Sequence, residues 1–338
     1  MGLMRLPFER AKPLQHDLHG VKTIQTVKPD FGVFEATDKL CATWLGHAGF
    51  LVQLPAEPDQ RPIRIVFDPM FSDRAYPSTW VDLRRRLPAP CRVQDLPEVD
   101  FIAVSHNHYD HCDIDALKQM WRTWPDVEFL VPLGVRSTLT SEGIPAARIH
   151  ELDWWDKVTF PPSTHRKSSC TFTCTPAQHN SGRGVLDQNR ALWCGWAVRP
   201  TTDGPSVYFA GDTGYQIAGG ACPAFKEIGE KLGPFDLAMI PIWSGATLTM
   251  LGKMGYRLAD DTHLATLHAT PEDAVHLAKD VRARHTLAMH FATFAGSDDE
   301  ALEPLVRLAR AQGGTADWRA EGGFGAIDVG ECVALALE

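Results

Sequence analysis

Four side chains able to bind metal crowd into one short stretch, SHNHYDH: His106, His108, Asp110 and His111, directly after the apolar run FIAV. In extended backbone successive side chains alternate sides, so His106 and His108 project together, and the following turn can aim Asp110 and His111 toward a neighbouring point. Burying three imidazoles and a carboxylate at a strand end is costly unless something offsets their dipoles and charge. A cation does that. These residues alone cannot fill two coordination spheres, so the pattern demands ligands at other strand ends. Three candidates stand there: His179 closes TFTCTPAQH, Asp212 closes SVYFAGD and His290 closes HTLAMH. Imidazole nitrogen and carboxylate oxygen without thiolate suit Zn²⁺, with iron or manganese a poorer match.

The elements that must position these residues read as one α/β body. Residues 1–40 mix Pro, Lys, His and Asp without periodicity and form an N-terminal arm; from Cys41 onward the pattern is that of a folded domain running to residue 338. CATWLGHAGFLVQL and IRIVFDPMF are expected to form a hairpin of two buried strands, the second ending at Asp68-Pro69. Further strands are expected at VEFLVP, TFTCTPAQH, ALWCGWAV, SVYFAGD and DLAMIPI. Helices should begin near Asp113 and cover PAFKEIGEKL, TPEDAVHLAKDVRA and DDEALEPLVRLARAQ. No repeat period and no Gly/Ser linker divides the chain.

Composition narrows the function. With 338 residues, 44% hydrophobic and 22% charged, the chain has the make-up of a folded protein. A net charge of −9 leaves no basic field to neutralise a phosphate backbone, which argues against nucleic acid. No apolar stretch approaches the ~18 residues of a membrane span. The opening MGLMRLPFERAKPLQ lacks the apolar core of a secretory signal, and position 6 is Leu where a myristoylation signal needs Ser or Thr. Eight cysteines without CxxC spacing fit reduced thiols, so a cytoplasmic location is expected, with peripheral membrane contact compatible.

The order HxHxDH, a later His, a GDTG aspartate and a last His resembles the metallo-β-lactamase superfamily. That resemblance implies an α/β fold of the αββα sandwich type with two metals in a shallow cleft at one edge. His106, His108 and His179 would hold one Zn²⁺, Asp110, His111 and His290 the other, and Asp212 would bridge them. True β-lactamases commonly carry Cys at the Asp212 position, so the pattern is closer to the hydrolase and phosphodiesterase branches. WLGHA, DPMFSDRAYPS, ELDWW, FAGDTGY, GPFDLAMIPI, HATPEDAV and AMHFATFA resemble the N-acylphosphatidylethanolamine-hydrolysing phospholipase D family. This implies hydrolysis of a phosphodiester on a lipid-like substrate by a hydroxide shared between the metals, releasing an N-acylethanolamine.

Asp212, Asp110 and His268 are the expected catalytic residues. His268 matches a family histidine that contacts the substrate phosphate, as a donor or general acid, although Thr270-Pro271-Glu272-Asp273 beside it would start a helix in any case. His47, Asp68, Ser105 and Thr213 sit in turns suited to orienting ligands. Tyr109 and Tyr215 flank ligands and could equally line the cleft or serve aromatic packing. Arg84-Arg85-Arg86 fits a solvated face or a contact with lipid phosphates.

Two segments depart from the family pattern: QIAGGA at 216–221, and SGATLTMLGKMGYRLADDTHLATL at 244–267, which replaces a shorter stretch. They leave a second reading, in which the same metals hydrolyse a lactone, thioester or other acyl bond of a small molecule. A non-enzymatic protein with a structural metal is disfavoured, because closed structural sites use four ligands. The substrate is thus a lipid or small molecule, and the resemblance admits a homodimer.

Overall fold

The apolar runs pair into two seven-stranded sheets stacked face to face. The computed structural model describes residues 8–10, 21–56, 60–77, 83–163, 168–200, 204–243, 254–258 and 264–335. The strands of the first half are β1 (Phe8–Arg10), β2 (Leu40–Gly46), β3 (Gly49–Leu54), β4 (Ile63–Phe67), β5 (Phe101–Ala103), β6 (Glu128–Pro132) and β7 (Ile149–Leu152). Next come β8 (Lys157–Phe160), β9 (Cys170–Thr175), β10 (Gly195–Pro200), β11 (Val207–Phe209) and the short β12 (Gln216–Ile217) and β13 (Gly220–Ala221). β14 (Phe235–Pro241), β15 (Tyr256–Leu258), β16 (Ala283–Met289), β17 (Gly323–Gly325) and β18 (Cys332–Leu335) complete the strands. Among the described residues the α-helices are α1 (Ile114–Thr123), α2 (Arg136–Ser141), α3 (Pro223–Leu232), α4 (Pro271–Asp280) and α5 (Asp298–Ala311).

One sheet has the order β18-β2-β3-β4-β5-β6-β7, the other β17-β16-β14-β11-β10-β9-β8. Each is parallel on one side, β4 to β7 and β11 to β17, and antiparallel on the other. Both faces of each sheet are covered, which is why the strands read as continuous apolar runs. Phe50, Val52, Ile65 and Phe67 face the other sheet, where Phe67 stacks on Phe209 at 4.8 Å. Leu51, Val66 and Phe129 face outward into a second core closed by Leu117, Met120 and Leu139 of α1 and α2. Phe225, Ala274, Leu277 and Leu308 of α3, α4 and α5 pack on the second sheet. The layers are α/β/β/α, as the sequence implied.

Local chemistry starts the helices where expected. Asp113 caps α1 by accepting from Ala116 N, and Thr270 caps α4, with Pro271 in its first turn, by accepting from Asp273 N. One expectation needs correction: Cys41 to Leu54 forms two strands, not one. Gly46 (φ +95°) and His47 (φ +52°) turn the chain, so β2 and β3 pair with each other and β4 joins as a third strand. The stretch at 21–39 lies against the body, with Ile24 and Phe34 buried and Thr26 bridging to Val329.

Candidate metal centre

Parallel strands β4 and β5 in one sheet and β11, β14 and β16 in the other end at a common edge, and the loops leaving them carry the polar residues. Crevices outside the carboxyl ends of parallel strands are where such sheets gather functional side chains. Asp68 follows β4, His106–His111 follow β5, His179 follows β9, Asp212 follows β11 and His290 follows β16. Gly211 (φ +62°) lets the end of β11 run close to β5: a Cβ there would lie 2.7 Å from Ser105 Cβ.

His106, His108 and His179 form one group of ligand atoms. His106 Nε2 lies 2.8 Å and His179 Nε2 3.3 Å from His108 Nδ1. His179 Nδ1 donates to the Leu267 carbonyl at 2.9 Å, which leaves its Nε2 without a proton when the ring is neutral. Burial holds both His106 and His179 well below the ordinary imidazole pKa, so neutral rings are the stable form. Ser105 Oγ donates to Asp68 Oδ2 at 2.5 Å and accepts from His106 Nδ1 at 2.8 Å, which bares His106 Nε2 in the same way.

His47, Asp110, His111 and His290 form a second group. His111 Nδ1 donates to Asp68 Oδ2 at 2.7 Å, and Asp110 Oδ2 lies 2.9 Å from His47 Nε2. Asp212 stands between the groups: its Oδ2 is 3.0 Å from His290 Nε2, 3.1 Å from His111 Nε2 and 3.6 Å from His179 Nε2. Burial pushes the Asp212 carboxyl up, but His111 and His290 outweigh it and hold it well below the usual carboxylate range. Burial likewise opposes His111, yet Asp212 and Asp110 raise its pKa well above the imidazole range.

Residues 63–291 match the model of the beta-lactamase superfamily domain. N-acyl-phosphatidylethanolamine-hydrolyzing phospholipase D 1 of Caenorhabditis elegans is 37% identical over 303 residues, covering 88% of this chain and 76% of the worm protein. The chain belongs to that superfamily and to its N-acyl-phosphatidylethanolamine-hydrolysing phospholipase D family. It spans less of other curated relatives, 64% of a mycobacterial protein and 52% of a yeast one. A metal-dependent hydrolase of Anaeromyxobacter is 27% identical over 82% of this chain and 85% of its own length. Igni18, a metallo hydrolase of Ignicoccus hospitalis, shares the fold at 20% identity and a TM-score of 0.54, covering 89% of this chain and all of its own. Like its relatives, the chain is a metal-dependent hydrolase.

The donor set fits the cations that this superfamily implies. Two bare nitrogens, on His106 and His179, converge with His108 Nδ1, and three imidazole nitrogens cannot satisfy one another with at most one proton among them. Asp212 Oδ1 and His290 Nδ1 are buried without a hydrogen-bond partner, and His111 Nε2 and His290 Nε2, although 3.1 and 3.0 Å from Asp212 Oδ2, do not meet it in hydrogen-bond geometry. Orphaned polar atoms of this kind mark a missing partner.

The structure brings all seven sequence-picked ligands together at this edge and adds His47, which the sequence placed only in a supporting turn. His268 also faces the centre. Its Nδ1 lies 3.9 Å from Asp212 Oδ2 and has no hydrogen-bond partner, and its ring sits 4.9 Å from His179. Trp243, which the sequence reasoning passed over, packs against both His268 and His290 at 5.2 and 5.6 Å. Its position at the end of the DLAMIPI strand was the available signal. Thr213 Oγ1 accepts from Gln178 N at 2.9 Å, holding the loop just before His179.

Three expectations change. Tyr215 does not line the cleft: it is buried between α3 and α4, its hydroxyl donating to Asp280 at 2.8 Å. Tyr109 lies under the Arg183 guanidinium at 3.9 Å, and Arg183 also donates to the Asn107 and Cys112 carbonyls. The run Arg84-Arg85-Arg86 is not a uniform basic face. Arg85 turns inward and donates to the Leu45, Met70 and Leu87 carbonyls, and Arg86 pairs with Asp298. Of the divergent segments, 216–221 forms the hairpin of β12 and β13, whereas 244–253 and 259–263 lie outside the described residues.

Proposed function

We propose that this chain is a zinc-dependent phosphodiesterase acting on N-acyl-phosphatidylethanolamine-like lipids. The observation that carries the reading is the meeting of both ligand groups at one carboxylate, Asp212, in a chain related along most of its length to the worm phospholipase D. His106, His108 and His179 would hold one Zn²⁺, Asp110, His111 and His290 a second, and Asp212 would serve both. When bound, such a pair supplies Lewis acidity toward phosphoryl oxygens and lowers the pKa of water toward neutrality.

The chain's own residues set this up. Asp68 and the Leu267 carbonyl fix which nitrogens of His111 and His179 face the centre. His47 holds the Asp110 carboxylate. His268, lowered to about 4 mainly by burial, is a neutral ring at pH 7. It therefore offers an N–H to a phosphoryl or leaving oxygen rather than acting as a preformed imidazolium acid. Residues 41–338 would make up the hydrolase unit, with 1–40 as its arm.

Membrane contact fits the same reading. Among the described residues no helix is long and apolar enough to cross a membrane. Val185 and Leu186, however, are 92% and 88% exposed. Their turn is tied at its base, Asp187 accepting from the Arg183 and Gly184 amides and Arg183 gripping the loop that carries His106–His111. Two apolar side chains on such a turn suit a shallow lipid contact.

A second reading, hydrolysis of a lactone, thioester or other acyl bond, keeps the same ligands. The β12–β13 hairpin, which begins four residues beyond Asp212 and departs from the family pattern, is the feature that favours it. Parallel assays on N-acyl-phosphatidylethanolamine and on an acyl ester and lactone panel separate the two. Release of N-acylethanolamine, abolished by chelation and restored by zinc, is expected; turnover of the acyl panel alone would replace the first reading with the second.

A further inference from the structure

Gln178, directly before the proposed ligand His179, meets both of the segments that depart from the family pattern. Its Nε2 donates to the Gln216 carbonyl at 2.8 Å, at the start of 216–221, and to the Thr266 carbonyl at 2.7 Å, near the end of 244–267. Beside it, His179 Nδ1 donates to the Leu267 carbonyl. Consecutive side chains therefore hold consecutive carbonyls, and the residue that follows those carbonyls is His268.

The close approach is built into the backbone. A Cβ on Gly214 would lie 2.4 Å from the Thr266 carbonyl carbon and oxygen, so a side chain there would push the turn before His268 away. Beyond His268 the chain is pinned again, the Ala269 N–H donating to the Thr213 carbonyl at 2.7 Å. Gln216 Nε2 donates to Asp273 Oδ1 at 2.6 Å, which anchors the β12–β13 hairpin on the first turn of α4. The backbone of Gln178 is engaged separately: its N–H donates to Thr213 Oγ1 at 2.9 Å and its carbonyl accepts from Gly214 N at 2.7 Å. The turn that carries His179 is thus held without the side-chain amide.

That amide can face only one way. With two carbonyls as neighbours its NH2 must point at them, since the flipped form would set oxygen against oxygen. Oε1 is then left buried without a hydrogen-bond partner. An unmatched buried acceptor is unfavourable, so what the side chain supplies is its pair of donors rather than a satisfied network.

We propose that Gln178 is a positioning residue, whose two N–H donors set His268 against Asp212 and fix the β12–β13 hairpin to the same point. The His268 ring stands 4.9 Å from His179 and 5.4 Å from His290, with Nδ1 3.9 Å from Asp212 Oδ2. Without the tie at Thr266 the short stretch before His268 loosens, and the ring loses this placement. The part of His268 in turnover rests on the hydrolase reading above; the placement of its ring does not.

Gln178→Met keeps the length of the side chain and removes both donors. Gln178→Glu removes them while keeping the shape and a polar end, so agreement between the two assigns the effect to the donors. In the zinc-loaded protein the imidazole NMR signals of His268, identified by their loss in His268→Ala, should move in both variants while zinc content stays at the wild-type level. In turnover of N-acyl-phosphatidylethanolamine, kcat should fall about tenfold and KM change by less than about twofold, as for a group displaced from its transition-state position. Added to His268→Ala, either substitution should cost no more than about a further twofold, because it acts through a ring that is no longer there. Should one variant fail to fold, the other decides. His268 signals that stay in place, or a kcat loss as large in the His268→Ala background as in the wild type, would overturn the proposal. Zinc lost from both variants would do so as well, by making Gln178 a support of the ligands. Moved signals in a protein that turns over no N-acyl-phosphatidylethanolamine would leave Gln178 its role and sink the hydrolase reading; turnover with unmoved signals would do the reverse.

Discussion

Asp68, fully buried, accepts the Nδ1 proton of His111 at 2.7 Å and, at its other contacts, the N–H and hydroxyl of Ser105. Because Ser105 Oγ in turn accepts from His106 Nδ1, one carboxylate orients a nitrogen in each ligand group. Partners of this kind typically contribute ~10–100-fold to metal affinity. Asp68→Asn preserves the shape but puts a donor where two donors already point. Competition against a chelating dye should show zinc affinity weakened by about that factor. Wild-type affinity in the variant would mean that the imidazoles are held by packing alone.

His268 faces Asp212 and lies within ligand distance of His179 and Asp212, but it is outside the two groups proposed to hold the metals. Its replacement should therefore separate turnover from metal binding. His268→Ala is expected to lower kcat roughly 10²-fold, the size typical of a lost donor in the transition state, with metal content unchanged. Loss of zinc from this variant, measured by elemental analysis, would move His268 from the substrate side to the ligand side.

Acidification should weaken the metal-free fold, and the sign follows from the histidines. Burial lowers His106, His108 and His179, brings His47 to about 3 and His268 to about 4. Each stays neutral in the folded chain where the unfolded chain, with imidazole pKa near ~6.5, takes up a proton. Between those values the unfolded state binds more protons, so stability falls as pH falls. His111 acts oppositely: burial lowers it, but Asp212 and Asp110 raise it further, so its contribution is full below ~6.5 and lost as pH rises through its folded value. Five lowered histidines outweigh one raised. The Tm of chelator-treated protein should drop between pH 7 and pH 5, and less steeply in His268→Asn. A Tm that climbs over that interval would contradict this balance.

Much of this centre was legible because several ligands close apolar runs: His106 comes one residue after FIAV, Asp212 directly after SVYFAG and His290 directly after HTLAM, as strand-end residues do. Capped helices were legible for a similar local reason, as at Asp113 and Thr270. The split of Cys41–Leu54 was hidden because both faces of β2 and β3 are buried, which erases the period-two signal, and only Gly46 and Gly49 mark the turn. His47 was placed but not matched to Asp110, since a contact across that separation leaves no trace in spacing. Arg85 read as part of a basic run, whereas three backbone carbonyls claim it. Charge type is visible in a sequence; the direction a long side chain takes is set by the packing around it.

Val185 and Leu186 provide the last test, of the membrane contact proposed above. Exposing both side chains almost completely has no packing benefit in the folded chain, and burying an aliphatic side chain of this size is worth ~1.5–3 kcal/mol. Two side chains cannot supply the ~800 Å² per partner of a stable protein interface, so the contact proposed for them is a weak, reversible one with a bilayer. Val185→Ser with Leu186→Ser should reduce cosedimentation with phosphatidylcholine vesicles at least tenfold. The ties from Asp187 to the Arg183 and Gly184 amides should keep the turn intact, so hydrolysis of a short-chain, water-soluble substrate should be unchanged. Because the net charge is −9, adding anionic lipid should not strengthen the wild-type association. Vesicle binding that survives the double substitution, or that grows with anionic lipid, would place the membrane contact elsewhere on the surface.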